Sequence, residues 1–351
     1  MLTEQDILEA IKDVKDPEIG KPLLELGMIR DIKVLDGGKV SLTVVLTTPA
    51  CPLKDTIKND VTEHLKGLPI TVLDIQWNAQ VTGRQGGVSQ KKRLPNIKNV
   101  IAVGSGKGGV GKSMCALNLA IALSQMNVRV GLLDADVYGP SVPKMVGSYA
   151  HPDISPQKKL MPLNKHGLKI MSFGFLLSSE EPVIWRGPML HGVINQFFSD
   201  VDWGELDYLV VDLPPGTGDI QLTLSTGYEL TGAVIVTTPQ AVASQIAYKG
   251  LRMFQKLGVP ILGIIENMSF LACPHCSERV YPFGQGKTEE LARNWTVPYL
   301  GEIPLVPEIS ALHDQGTPAA TLPTYQSYFL ETARRLAGQI SVANFNFTLQ
   351  T

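Results

Sequence analysis

The residues best suited to chemistry lie in one stretch, Gly106-Lys107-Gly108-Gly109-Val110-Gly111-Lys112-Ser113, which holds the spacing G-x-x-x-x-G-K-[ST]. Glycines let the backbone curl until successive N–H groups point at phosphate oxygens, a path that Cβ atoms obstruct. Gly106, Gly108, Gly109 and Gly111 thus cradle phosphates, Lys112 reaches the β/γ-phosphates, and Ser113 offers its hydroxyl to Mg²⁺. Asp212 ends the apolar run Tyr208-Leu209-Val210-Val211. A carboxylate so placed holds the Mg²⁺ shell directly or through water. The run Val128 to Leu133 ends likewise in Asp134-Ala135-Asp136, which places carboxylates beside a nucleotide crevice or, more plainly, caps a helix. Cys273-Pro274-His275-Cys276 sets two soft thiolates at chelating distance, too few to complete a four-thiolate set.

Strands followed by helices must position these groups. Val100-Ile101-Ala102-Val103 predicts a buried strand before the loop, and Met114 to Gln125 a helix whose N-terminal dipole adds to the anion site. Further β-rich runs fall at Leu168 to Phe173, Ala233 to Thr238, Ile261 to Glu266 and Pro298 to Ile303, with helical patterns at Val242 to Leu257 and Thr324 to Ala337. This alternation predicts an α/β fold: a mostly parallel sheet covered by helices on both faces. Leu213-Pro214-Pro215-Gly216-Thr217-Gly218-Asp219 cannot continue a strand and reads as a loop beside the γ-phosphate. Gly139 to Pro143 reads as an irregular switch loop, and Pro304 to Glu308 as a rigid loop near the base pocket. A helix opens at Ile184-Trp185-Arg186-Gly187-Pro188, with no role derivable for Arg186.

A small domain precedes the loop, over residues 1–80. Thr3 with Asp6, then Ile7, Ile11 and Val14, predicts a capped amphipathic helix. Met28 to Leu35 and Val40 to Leu46 flank Asp36-Gly37-Gly38-Lys39, which is hairpin chemistry. A helix over Pro52 to Lys66 and a strand over Thr71 to Trp77 complete an αββαβ α+β unit. Cys51, in Thr47-Thr48-Pro49-Ala50-Cys51-Pro52, stands where a helix dipole would favour a thiolate, or is simply a buried turn cysteine. Residues 81–98, with Gly86-Gly87 and Lys91-Lys92-Arg93, read as a solvated linker, leaving 99–340 as the nucleotide domain and 341–351 as a tail.

A 351-residue chain with 44% hydrophobic and 18% charged residues can bury a core in two or three domains. A net charge of -2 gives no general reason to bind nucleic acid, and no apolar run reaches the roughly 18 residues of a membrane span. The first residues lack a signal-peptide pattern, so a cytoplasmic location is expected. Four cysteines are too few for a disulfide framework.

The form Lys107-Gly108-Gly109-Val110-Gly111-Lys112-Ser113 resembles the deviant Walker A family: nitrogenase iron protein, the partition and cell-division ATPases, and the Mrp/ApbC iron–sulfur carriers. That resemblance implies that Lys107 reaches the partner subunit's nucleotide, hence a nucleotide-dependent homodimer. It also implies that Asp136 activates water, that Asp134 lies near the metal and that Asn267 reads the adenine. The Leu213–Asp219 loop, and Cys273 and Cys276 behind Glu266-Asn267-Met268, are similar to the Mrp/ApbC pattern. Residues 3–80 resemble the small SufT/PaaD-like iron–sulfur assembly domain, which makes Cys51 an accessory candidate. The expected function is that of an ATP- and Mg²⁺-binding homodimeric carrier, slowly hydrolysing, that holds a [4Fe–4S] cluster between two cysteine pairs and passes it to apoproteins with the help of assembly factors. A spatial-organising ATPase and a zinc-stabilised dimeric NTPase are the alternatives, since thiolate sets accept Zn²⁺ as well as clusters.

Overall fold

The computed structural model describes residues 2–49, 51–84, 91–176, 187–273, 275–276 and 278–350. In the first domain α1 (Glu4–Ala10), β1 (Ile29–Leu35), β2 (Lys39–Leu46), α2 (Lys54–Leu65) and β3 (Val72–Ala79) follow the expected order. Thr3 and Asp6 form a reciprocal capping box at α1. β1 and β2 pair antiparallel across the glycine turn, and β3 adds parallel to β2. Ile7, Ile57 and Val61 from the two helices meet Leu42 and Val44 of β2 in a small separate core.

The second domain begins with β4 (Val100–Ser105) and α3 (Lys112–Ser124), then β5 (Val130–Asp134), α4 (Val142–Met145), β6 (Leu163–Lys165) and β7 (Leu168–Ser172). It continues through α5 (Gly187–Ser199), β8 (Tyr208–Asp212), α6 (Asp219–Gly227), β9 (Gly232–Thr237), α7 (Ala241–Lys256) and β10 (Ile261–Asn267). Last come β11 (Leu271–Ala272), β12 (Arg279–Val280), α8 (Thr288–Asn294), β13 (Tyr299–Ile303), α9 (Pro307–Asp314) and α10 (Pro323–Gln350). The eight-stranded sheet runs β13-β10-β9-β4-β8-β5-β7-β6, parallel throughout except for β6 at its edge. Every residue of β4, β5, β8 and β9 is buried, which is why these strands read as continuous apolar runs rather than alternating ones. The carboxyl ends of β4, β5, β8, β9 and β10 share one edge of the sheet, and successive strands leave β4 in opposite directions there. Such a switch point opens a crevice for a ligand.

Three expectations need correction. The described parts of the expected 81–98 linker, residues 81–84 and 91–98, are not a solvated tether: Val81 is buried in the second domain's core, Arg84 donates to the Thr231 carbonyl at 2.8 Å, and Lys91 donates to the Leu257 carbonyl at 2.9 Å. Cationic side chains capping otherwise open carbonyls are what a charge count cannot reveal. Residues 341–350 of the expected 341–351 tail are not a separate tail, because α10 is continuous through Gln350. Its Asn344 donates to the Thr82 carbonyl at 2.9 Å and to Asn99 Oδ1 at 2.8 Å, tying the end of α10 to the residues that lead into β4. The stretch from Gly139 is not wholly irregular either, since a single helical turn, α4, starts at Val142. Arg186 lies outside the described residues.

Candidate nucleotide site and cysteine hairpin

Gly111 caps α3 in the left-handed conformation at φ 77°, and a Cβ there would stand 2.2 Å from Asn267 Nδ2. At Gly106 a Cβ would stand 2.5 Å from the Ile246 backbone carbon, so this glycine answers to a close approach of α7 rather than to its own dihedrals. Gly108 and Gly109 sit exposed at the bend between them. The loop's N–H groups and the α3 N-terminus therefore converge where a phosphate would lie.

Lys112 is buried with its ammonium on Asp212 Oδ1 and 3.2 Å from Ser113 Oγ. Asp212 is fully buried and its second oxygen, Oδ2, has no hydrogen-bond partner among the described residues. Burial pushes the Asp212 carboxyl up, and the Lys112 ammonium pulls it back. Asp134 stands opposite Asp212 in the β5/β8 register, and burial together with that neighbouring carboxylate pushes its carboxyl up as well. Asp134 Oδ2 accepts from Ser172 Oγ at 2.9 Å and from Val142 N–H at 3.2 Å, while Oδ1 accepts from Asp136 N–H at 3.2 Å. Asp134 thus anchors the loop that carries Asp136, and Ser172, at the end of β7, is a partner that the motif reading missed. Asp136 Oδ1 in turn accepts the Tyr138 and Gly139 N–H groups, each at 3.3 Å.

Lys107 extends sideways to Gln240 Oε1 of its own chain at 2.8 Å. Asn267 Nδ2 donates to the Val110 carbonyl at 2.8 Å, and its buried Oδ1 is without a partner among the described residues. Beside it a cavity of about 430 Å³ is lined by Gly111, Met114, Leu305, Val306, Ile309 and His313. The Pro304–Glu308 segment does border this space, but α9 begins within it at Pro307. His313 Nε2 accepts from Asn118 Nδ2 at 3.1 Å and from Ala319 N–H at 3.3 Å, which requires the neutral ring. Burial lowers its pKa from 6.5 to about 4. A folded-state value below the unfolded one means that the unfolded chain binds more protons, so stability is lost as pH falls from 6.5 towards 4. Urea unfolding across that range should show the loss, and His313→Gln, which keeps an acceptor without the charge, should flatten it.

Cys273 and Cys276 occupy the tip of the hairpin formed by β11 and β12, closed by Cys273 N–H to the Glu278 carbonyl at 2.9 Å. N–H groups of His275 and Cys276 point at the Cys273 sulfur and hold its pKa below the ordinary thiol value. Cys276 and His275 are exposed, and no cluster of three or more His, Cys, Asp or Glu suited to a metal ion exists among the described residues. Cys115 is buried in α3 as core. At Cys51 the buried-cysteine reading is favoured over the thiolate: burial pushes the thiol up to about 11, outweighing the backbone hydrogen bond at Leu53. The helix starts only at Lys54 and its cap is Leu53, so Cys51 stands outside the first turn where the dipole acts.

A parallel sheet whose switch point carries this loop and its strand-end aspartates defines a P-loop NTPase. The chain belongs to the family described as NUBPL iron-transfer P-loop NTPase, whose model matches residues 96–340. A second family model, described as iron-sulfur cluster assembly protein, matches residues 4–75. An iron-sulfur cluster carrier protein of Synechocystis sp. is 46% identical over 352 residues, covering 98% of this chain and 99% of that one. The iron-sulfur cluster transfer protein NUBPL of Mus musculus is 45% identical over 245 residues, covering 69% and 76%. Among solved structures, the nucleotide-binding protein of Archaeoglobus fulgidus in complex with ADP aligns with a TM-score of 0.59 at 40% identity, over 68% of this chain and 94% of that one. No helix among the described residues is long and apolar enough to cross a membrane.

Proposed function

We propose that this protein is an ATP-binding homodimeric carrier that holds an iron–sulfur cluster between the Cys273 and Cys276 pairs of two copies and hands it to apoproteins. The observation that carries the reading is the exposed hairpin: it offers two thiol ligands, and its own chain brings no third ligand group to them among the described residues. A four-thiolate set is then met by a second copy across a two-fold axis. The names of the Synechocystis and mouse relatives support cluster carriage as the purpose. Exposed apolar side chains support self-association: Tyr138, Leu222 and Val242 lie in the segments that follow β5, β8 and β9.

In the nucleotide site, Lys112 binds the β/γ-phosphates, leaving Asp212 for the metal shell. Ser113 and Asp212 would hold Mg²⁺, with Asp134 behind them, and the unpartnered Asp212 Oδ2 fits that role. When bound, the ion neutralises phosphate charge. Asp136 takes the proton of the attacking water, and Asn267 Oδ1 accepts from the base. Lys107 leaves Gln240 to reach the partner's phosphates. Hydrolysis is slow and serves a conformational change rather than turnover.

Anaerobic reconstitution tests the reading. The expected product is a dimer approaching about four irons per pair of chains, with a broad charge-transfer band. A preparation that takes zinc and refuses iron, or a full cluster on a demonstrably monomeric chain, overturns the bridging arrangement.

A further inference from the structure

The two limbs of the cysteine hairpin are held differently. Its leading limb is tied to the sheet by backbone: Ser269 N–H donates to the Ile303 carbonyl at 3.1 Å, and the Phe270 carbonyl accepts Leu305 N–H at 2.7 Å. Among the described residues the returning limb, β12, pairs only with the two residues of β11, and a two-residue ladder is too short to fix an orientation by itself. A cavity of about 620 Å³ borders the hairpin base, lined by Phe270, Arg279, Tyr281, Tyr299, Glu302 and Arg335. Arg279 spans the gap. Its Nη1 donates to Glu302 Oε1 at 2.6 Å, and its guanidinium lies 4.0 Å from the Phe270 ring centroid.

We propose that Arg279 is the positioning residue of the thiolate pair: it moors the returning limb to β13 so that Cys273 and Cys276 present a fixed pair of sulfurs. This rests on the reading of that pair as the metal-binding site. Glu302 stands beside Glu266 in the β10/β13 register, one residue from Asn267, which touches the phosphate loop. The mooring point is therefore on the strand pair that borders the nucleotide. Arg279 and Glu302 are both partly exposed, and an ion pair of that kind contributes little to global stability. Its effect is instead on ligand geometry, where outer partners of metal ligands typically change affinity by about 10- to 100-fold.

Co²⁺ titration of the full-length protein, followed by the thiolate-to-cobalt charge-transfer band, tests this. Arg279→Gln should weaken Co²⁺ binding by about tenfold or more, with unchanged ATP affinity and a nearly unchanged unfolding temperature. Arg279→Lys, which keeps a charge but loses the planar stack and fork, should lie between wild type and Arg279→Gln. Glu302→Gln should weaken binding, and the double variant Arg279→Gln/Glu302→Gln should be no worse than Arg279→Gln alone, because both remove one mooring. Wild-type Co²⁺ affinity in Arg279→Gln, while Cys273→Ser abolishes the band, overturns the positioning role. A band that survives Cys273→Ser instead overturns the underlying assignment of the metal site. Weakened Co²⁺ binding accompanied by an equal loss of ATP affinity would reduce Arg279 to a general structural residue and also counts against the proposal.

Discussion

Lys112→Ala is expected to abolish nucleotide turnover while the chain stays folded. In the proposed function Lys112 is the principal cation for the β/γ-phosphates, and removing one such electrostatic stabiliser typically costs about 10²- to 10³-fold in rate. The same substitution strips Asp212 of its partner. Deleting one member of a buried pair generally costs about 3–5 kcal/mol, because a charge is left uncompensated. Here burial already raises the Asp212 carboxyl, so protonation relieves part of that cost at mildly acid pH. Lys112→Ala should therefore be destabilised near neutral pH and recover as the pH falls. Lys112→Ala/Asp212→Asn, with no charge to compensate, should regain stability at pH 7 without regaining turnover. ATP hydrolysis measured beside thermal unfolding separates the two effects; wild-type turnover in Lys112→Ala would remove the loop from the mechanism.

Cys273→Ser and Cys276→Ser should each eliminate the cluster while ATP binding at the phosphate loop persists, since the hairpin and the loop are separate groups of residues. A serine oxygen cannot replace a thiolate in a soft-ligand set. Loss of the cluster should also weaken association of the two chains, because metal binding that joins them contributes its free energy to the dimer. Cys51→Ser should behave as wild type in cluster content. Burial pushes its thiol up to about 11, away from the thiolate form that binds metal. Iron and sulfide analysis of the three variants decides the matter. A cluster lost with Cys51→Ser but kept in the two hairpin variants would move the site to the first domain.

Much of this protein was legible from local pattern. The phosphate loop, Asp212 and the Cys273/Cys276 pair are short motifs whose chemistry requires fixed residue types at fixed spacing, so they appear in one dimension. The buried strands β4, β5, β8 and β9 are legible for a related reason. A strand covered on both faces must be apolar at every position, whatever its neighbours. The small first domain is legible through its capping box and its glycine hairpin.

What tertiary structure decided are the pairings between residues far apart in the chain. Arg84 and Lys91 leave solvent for the carbonyls of Thr231 and Leu257, and Asn344 reaches Thr82 and Asn99, turning an expected tether and tail into parts of the second domain. Ser172 holds Asp134, Gln240 holds Lys107, Glu302 holds Arg279 and Asn118 donates to His313. None of these partners stands at a characteristic spacing from the group it serves, because strand order rather than sequence separation brings them together. Cys51 shows the same division: its residue type and its place before a helix were plain, but its protonation follows from burial, which depends on packing across the whole domain.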